Sequence, residues 1–236
     1  MMRALIVDDE MHAREELGSL LRQTGAFTVL GTCADAVSAL QAIRAERPDV
    51  LFLDIQMPAI SGFELLSMID DTEMPRVVFV TAHDEHALRA FEENAVDYLL
   101  KPVSLERLHR TVERLRLAPA DPGVAAQMRT SIQRIPCLAG RAIKLVDAAE
   151  IEFARSSEAG VYVVCPRGEY FTELTLRVLE ERAGLVRCHK QFLVRLDRIE
   201  EVRLDEGTAT LRTRSGRDIP VSRRLLPEIR ERLGIP

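Results

Sequence analysis

Five times in its first 117 residues the chain sets a short apolar run ahead of a stretch whose apolar residues recur at helical spacing. The runs are Ala4–Val7, Phe27–Thr32, Val50–Leu53, Arg76–Ala82 and Val96–Leu100. The helical stretches are Ala13–Leu21 (closed by Gly25), Ala36–Ala45, Gly62–Ile69, Glu85–Glu93 and Ser104–Leu117. A run such as Val50-Leu51-Phe52-Leu53 is apolar at consecutive positions, which suits a strand covered on both faces rather than one with a wet side. The expected fold of residues 3–117 is therefore an α/β doubly wound five-stranded parallel sheet.

Right-handed crossovers gather the ends of such strands at one edge of the sheet, where open α/β sheets bind their ligands. Asp8, Asp9, Asp54, Thr81 and Lys101 each lie at or just beyond a strand end. Taken alone, Asp54 favours the reading as a turn-capping residue, since Asp is common after strands. Its convergence with two more carboxylates, a hydroxyl and an ammonium favours chemistry. Three carboxylates without a cation repel one another, so a hard divalent ion held by oxygens, Mg²⁺, is the expected neutraliser. One carboxylate can then attack a phosphoryl group to give an aspartyl phosphate. The ion and Lys101 would stabilise the transferring oxygens, and Thr81 would hydrogen-bond one of them. The Lys101-Pro102 pair leaves two backbone readings open: the common trans bond, or a cis bond that aims the lysine into the cluster.

Charge distinguishes the two halves. Residues 1–117 carry 12 Lys+Arg against 20 Asp+Glu, and residues 118–236 carry 20 against 17, so a net −8 is joined to a net +3. A polyanionic partner would meet the second half. No apolar run approaches the roughly 20 residues of a membrane span. The N-terminus leads from Met1-Met2-Arg3 directly into a strand, unlike a signal peptide, so a cytoplasmic protein without membrane insertion is expected. The four cysteines show no metal-site spacing and read as buried thiols.

Two prolines and a glycine in Ala118-Pro119-Ala120-Asp121-Pro122-Gly123 mark a linker over 118–130. Beyond it the pattern changes to short, partly alternating segments divided by turn residues, which predicts a mostly antiparallel β domain over 131–236. Strands are expected at Ile132–Leu138, Ala142–Val146, Ile151–Ala154, Val161–Cys165, Tyr170–Leu174, Leu185–His189, Phe192–Val194, Ile199–Leu204, Thr208–Arg214 and Asp218–Val221. One short helix carries Leu176, Val178 and Leu179, and a last helix starts near Ser222. No helix-turn-helix pattern stands out; basic residues fall in strand-flanking loops instead. They read either as solvated surface or as donors aimed at phosphates and base edges. This half has no Ser/His/Asp or metal-ligand constellation, so a non-enzymatic output is expected, with a protein-interaction module as the rival to DNA binding.

Asp8-Asp9, Asp54 with Met57-Pro58 and Gly62, Thr81-Ala82 and Lys101-Pro102 together resemble a two-component receiver domain, which is flavodoxin-like in fold. The resemblance implies Asp54 as phosphoacceptor and Asp8, Asp9, Asp54 and the Gln56 carbonyl as the Mg²⁺ site. It also implies an aromatic switch at Tyr98 and a sensor histidine kinase as partner. Residues 131–234 are similar to the LytTR DNA-binding domain through Ile151-Glu152-Phe153-Ala154, Cys188-His189-Lys190-Gln191-Phe192-Leu193-Val194 and Ile219-Pro220-Val221-Ser222-Arg223-Arg224. The combined order resembles YehT-like LytTR response regulators. It implies a homodimer on phosphorylation, binding to direct repeats in promoter DNA, and contacts from Ser157, Glu158, Lys190, Gln191, Arg223 and Arg224. Arg195, where the family usually has Asn, is a further candidate contact.

Overall fold

The computed structural model describes residues 1–82, 95–118, 131–140, 142–205 and 208–235. The expected helix over Glu85–Glu93, nearly all of the linker and the tip of the Asp205-Glu206-Gly207 turn lie outside them. The chain forms two compact units, Met1–Thr130 and Ser131–Pro236.

In the first unit, strands β1 (Met2–Val7), β2 (Phe27–Cys33), β3 (Val50–Leu53), β4 (Arg76–Thr81) and β5 (Asp97–Leu100) form one sheet in the order β2-β1-β3-β4-β5. Every pairing is parallel. Helices α1 (Met11–Gln23), α2 (Ala36–Glu46), α3 (Gly62–Met68) and α4 (Leu105–Leu117) accompany it. All four residues of β3 are buried, as its unbroken apolar run requires. On one face Ile6, Phe52 and Val80 pack with Leu17 and Leu21 of α1 and with Leu108, Val112 and Leu115 of α4. The rings of Phe27 and Phe52 meet edge to face at 5.4 Å. The chain runs from β1 outward to β2 and back across to β3, so the topological switch lies between β1 and β3, the strands that Asp8 and Asp54 follow.

Local chemistry sets the helix starts. Asp35 caps α2 by accepting from the N–H groups of Val37 and Ser38, and Ser61 with Glu64 forms a reciprocal capping box on α3. Gly62 is there for space: a Cβ would fall inside contact range of the Asp54 carbonyl oxygen and 3.1 Å from Leu53 Cγ.

The second unit is mostly β. Strands β6 (Arg134–Ala139), β7 (Ala142–Asp147), β8 (Phe153–Ser157), β9 (Gly160–Cys165), β10 (Gly168–Thr172), β11 (Val186–His189) and β12 (Phe192–Val194) form a seven-stranded antiparallel sheet ordered β11-β12-β8-β9-β10-β6-β7. A second sheet contains β13 (Ile199–Asp205), β14 (Thr208–Thr213) and β15 (Asp218–Val221). Helix α5 (Leu176–Arg182) and helix α6 (Leu226–Leu233) complete it. Phe153, Val164 and Val194 of the large sheet pack with Ala209, Leu211, Ile219 and Val221 of the small one and Ile229 of α6.

A buried carboxylate ties the two sheets together. Glu152 is fully enclosed, accepts from the Ser215 N–H at 3.0 Å and also takes a hydrogen bond from the Ser215 hydroxyl. All four cysteines are free and buried, and burial pushes the Cys137 and Cys188 thiols up to about 12, leaving them protonated packing groups.

Several boundaries shift: β6 begins at Arg134 rather than Ile132, β10 covers Gly168–Thr172 rather than Tyr170–Leu174, and two further shifts have a local cause. The last helix begins at Leu226 rather than near Ser222, because the Ser222 carbonyl closes a turn by accepting from Leu225 and Leu226 and Pro227 then opens the helix. The strand expected at Ile151–Ala154 starts two residues later and runs to Ser157, since Asp147 caps a 3₁₀ turn over Ala148–Glu150 ahead of it.

Candidate functional site

Asp8 and Asp9 follow β1, and Asp54 follows β3, its N–H bonded to the Val7 carbonyl at 2.8 Å. That bond holds the two acid-bearing loops side by side. Asp8, Asp9 and Asp54 each present an oxygen within 4.8 Å of the others, the one such carboxylate grouping among the described residues. Asp8 and Asp54 are 2% and 6% exposed, whereas Asp9 is open to solvent. The Glu10 N–H donates to Asp8 Oδ1 at 2.9 Å and the Gln56 N–H to Asp54 Oδ1 at 3.3 Å, so each buried carboxylate is braced by the backbone two residues on.

Lys101 enters from the end of β5. Its Nζ lies 2.8 Å from both Asp8 Oδ2 and Asp54 Oδ2, and 3.9 Å from Glu10 Oε2. Burial works against the lysine's charge, but hydrogen bonds to Asp54 and Asp8 outweigh it and hold the ammonium above its ordinary pKa. The Lys101–Pro102 peptide is cis, and the Lys101 N–H donates to the Thr81 carbonyl at 2.8 Å. Thr81 is fully buried at the end of β4. The donor set, three carboxylates with oxygens within 4.8 Å of one another, suits a hard divalent cation such as Mg²⁺.

Tyr98 lies on the edge strand β5, half-buried, and its backbone is gripped on both sides. Its N–H donates to Asp97 Oδ1 at 3.0 Å and its carbonyl accepts from Arg107 Nη2 at 2.9 Å. Asp97 in turn accepts from Arg107, Thr111 and Arg114. Burial alone would raise its pKa, yet these donors and the two guanidinium charges hold it below the usual carboxylate range.

In the second unit, three separate loops carry the remaining candidates. Ser157 ends β8, and Glu158 begins the two-residue turn to β9. Lys190 and Gln191 form the turn between β11 and β12, and Arg223 and Arg224 the turn before α6. All six side chains are exposed. The elements that carry these loops are bonded to one another: Ser156 N–H of β8 donates to the Gln191 carbonyl at 2.9 Å, and Ser222 N–H to the carbonyl of Cys188 in β11 at 2.8 Å. Residues far apart in sequence thus share one edge.

Arg195 does not join them. Its guanidinium turns inward and donates from Nη2 to the Ala183 carbonyl at 2.6 Å, capping the end of α5, where burial lowers its pKa. Two neighbours of these candidates have a bracing role that the sequence does not assign. Arg187 pairs with Glu180 at 2.6 Å and reaches the Lys190 carbonyl, and His189 Nδ1 accepts from the Gln191 N–H at 3.3 Å, so both brace the β11–β12 turn. Their place beside a polar two-residue turn was the available signal.

Residues 4–113 match the response regulator receiver domain family and residues 141–234 the LytTr DNA-binding domain family. An uncharacterized response regulatory protein of Vibrio cholerae is 49% identical over 235 residues, 99% of each chain. The transcriptional regulatory protein BtsR of Salmonella typhi is 47% identical over the full length of both chains. Among solved structures, the response regulatory domain of mrkE from Klebsiella pneumoniae is 34% identical, covering 49% of this chain and 96% of its own, with a TM-score of 0.43. The chain belongs to the LytTR response regulators, a receiver domain followed by a LytTR DNA-binding domain.

Proposed function

We propose that the chain is a cytoplasmic transcriptional response regulator, phosphorylated on Asp54 by a sensor histidine kinase, and that the phosphorylated form dimerises and binds direct repeats in promoter DNA. The observation that carries this reading is the meeting of Asp8, Asp9 and Asp54 at the switch point of the sheet, with Lys101 Nζ 2.8 Å from both Asp8 and Asp54. Asp8, Asp9, Asp54 and the Gln56 carbonyl would hold Mg²⁺, which supplies positive charge to the oxygens of the transferring group. An Asp54 carboxylate oxygen attacks the phosphorus of a phosphohistidine. The P–N bond breaks, the imidazole leaves with the electron pair and is protonated, and a P–O bond to Asp54 forms. Lys101, already within hydrogen-bond range of Asp54, donates to one phosphoryl oxygen, and Thr81 to another. Tyr98 on β5 answers that change as the switch residue.

For DNA, Ser157, Glu158, Lys190, Gln191, Arg223 and Arg224 form the reading edge, supported by the bonds that join their loops. The receiver reading is tested by incubating the protein with acetyl phosphate: labelling should require Mg²⁺ and vanish in Asp54→Asn. Undiminished labelling of that variant would move the phosphoacceptor elsewhere.

A further inference from the structure

A side chain outside the cluster holds the acid loop in shape. Arg14 sits in the first turn of α1, where the aligned peptide dipoles make a cation unfavourable and no acidic residue of that turn offsets it. Its position therefore calls for a compensating contact. Side chains in a helix lean toward its N-terminus, so a long one in the first turn reaches back over the preceding loop. Arg14 does so: a single nitrogen, Nη1, donates to the Asp8 carbonyl at 2.6 Å and the Asp9 carbonyl at 2.9 Å. The same loop is tied to β2 by Asp8 N–H donating to the Cys33 carbonyl at 3.1 Å. One guanidinium thus fixes two consecutive peptide units, the two that carry the Asp8 and Asp9 carboxylates.

We infer that Arg14 is a positioning residue for the divalent cation site: it touches neither ion nor phosphoryl group, but clamps the Asp8–Asp9 backbone so that both carboxylates stay turned toward Asp54. Without the clamp, mutual repulsion of the carboxylates would spread the loop. This inference rests on the proposed Mg²⁺ site.

Its sign separates the clamp from a simple charge effect. A guanidinium acting only through charge would repel Mg²⁺, so removing it would tighten binding. Removing a clamp weakens binding, and support groups of this kind typically change metal affinity 10–100-fold. The test is calorimetric titration of Mg²⁺ into the full chain as wild type, Arg14→Ala and Arg14→Gln, with melting temperatures recorded without metal. Arg14→Ala is expected to weaken Mg²⁺ binding about tenfold. Acetyl phosphate labelling should recover to near the wild-type rate at saturating Mg²⁺, which a general folding defect would not allow. Equal or tighter binding by Arg14→Ala overturns the inference. If Arg14→Ala fails to fold, Arg14→Gln decides, since it drops the charge and its side chain, two bonds shorter, does not reach both carbonyls: weaker binding supports the clamp, and equal or tighter binding overturns it. A wild-type chain that binds no Mg²⁺ fails the underlying site reading, whereas a binding wild type with an equally binding variant fails the clamp alone.

Discussion

Lys101 Nζ stands 2.8 Å from Asp54 Oδ2, so the lysine is paired to the proposed phosphoacceptor across the sheet from the end of β5. It makes the same approach to Asp8, and one ammonium therefore serves two nearly buried carboxylates. Removing one partner of a buried ion pair leaves uncompensated charge and typically costs about 3–5 kcal/mol. Lys101→Ala should thus destabilise the metal-free receiver, by about 3 kcal/mol because the lysine is partly exposed. Added Mg²⁺ should raise the melting temperature of the variant more than that of the wild type, since the ion then takes over neutralisation. Equal Mg²⁺-induced shifts would count against a shared site.

Gly62 gives a steric prediction. A methyl group there meets the Asp54 carbonyl oxygen and Leu53 Cγ, both on rigid elements beside the cluster. Gly62→Ala should cost about 1–3 kcal/mol, the usual range for overpacking, read by urea denaturation, and should weaken Mg²⁺ binding in parallel. A variant with wild-type stability would mean that the β3–α3 loop relaxes freely.

Asp97 makes receiver stability depend on pH. Its folded pKa is lowered, so its contribution is fully present above the unfolded value of about 4 and is lost as pH falls through the lower folded value. The stability difference between wild type and Asp97→Asn should be largest near pH 7 and shrink below about pH 4. Chemical denaturation at a series of pH values reads this directly; a difference that grows on acidification would contradict the assignment.

Lys190 and Arg223 give a prediction for DNA. If Arg223 reads a base, Arg223→Ala should cost about 1–3 kcal/mol on the specific site and relax discrimination at one position. If Lys190 contacts phosphate, Lys190→Ala should weaken specific and nonspecific binding alike and reduce the salt slope by about one. Operator affinities across a salt series, with melting temperatures as a control, distinguish both from inert surface charge. Unchanged affinity in both folded variants would move the DNA face.

The receiver was readable because its signals are local. The run Val50–Leu53 is buried on both faces because it is apolar at every position, and Asp8 and Asp54 meet because parallel strands end on one side. What escaped sequence reading depended on reach and closure. Arg195 finds the Ala183 carbonyl 12 positions earlier, and Arg14 folds back over a loop, neither of which leaves a periodic trace. Glu152 reads as one charged residue in a strand pattern, although its carboxylate closes onto a turn 63 residues away. The start of α6 moved because a turn at Ser222 competes with the helix for the same carbonyl.

The bonds from Ser156 to Gln191 and from Ser222 to Cys188 have an evolutionary consequence. They consume backbone groups rather than side chains, so they persist whatever residues occupy the exposed positions 157, 158, 190, 191, 223 and 224. If those six side chains read DNA, a lineage acquiring a new target sequence can exchange them one at a time without altering the frame that presents them. An insertion in any one loop would instead shift its neighbours. Divergence among regulators built this way should therefore accumulate as substitutions at these tips and seldom as changes in loop length.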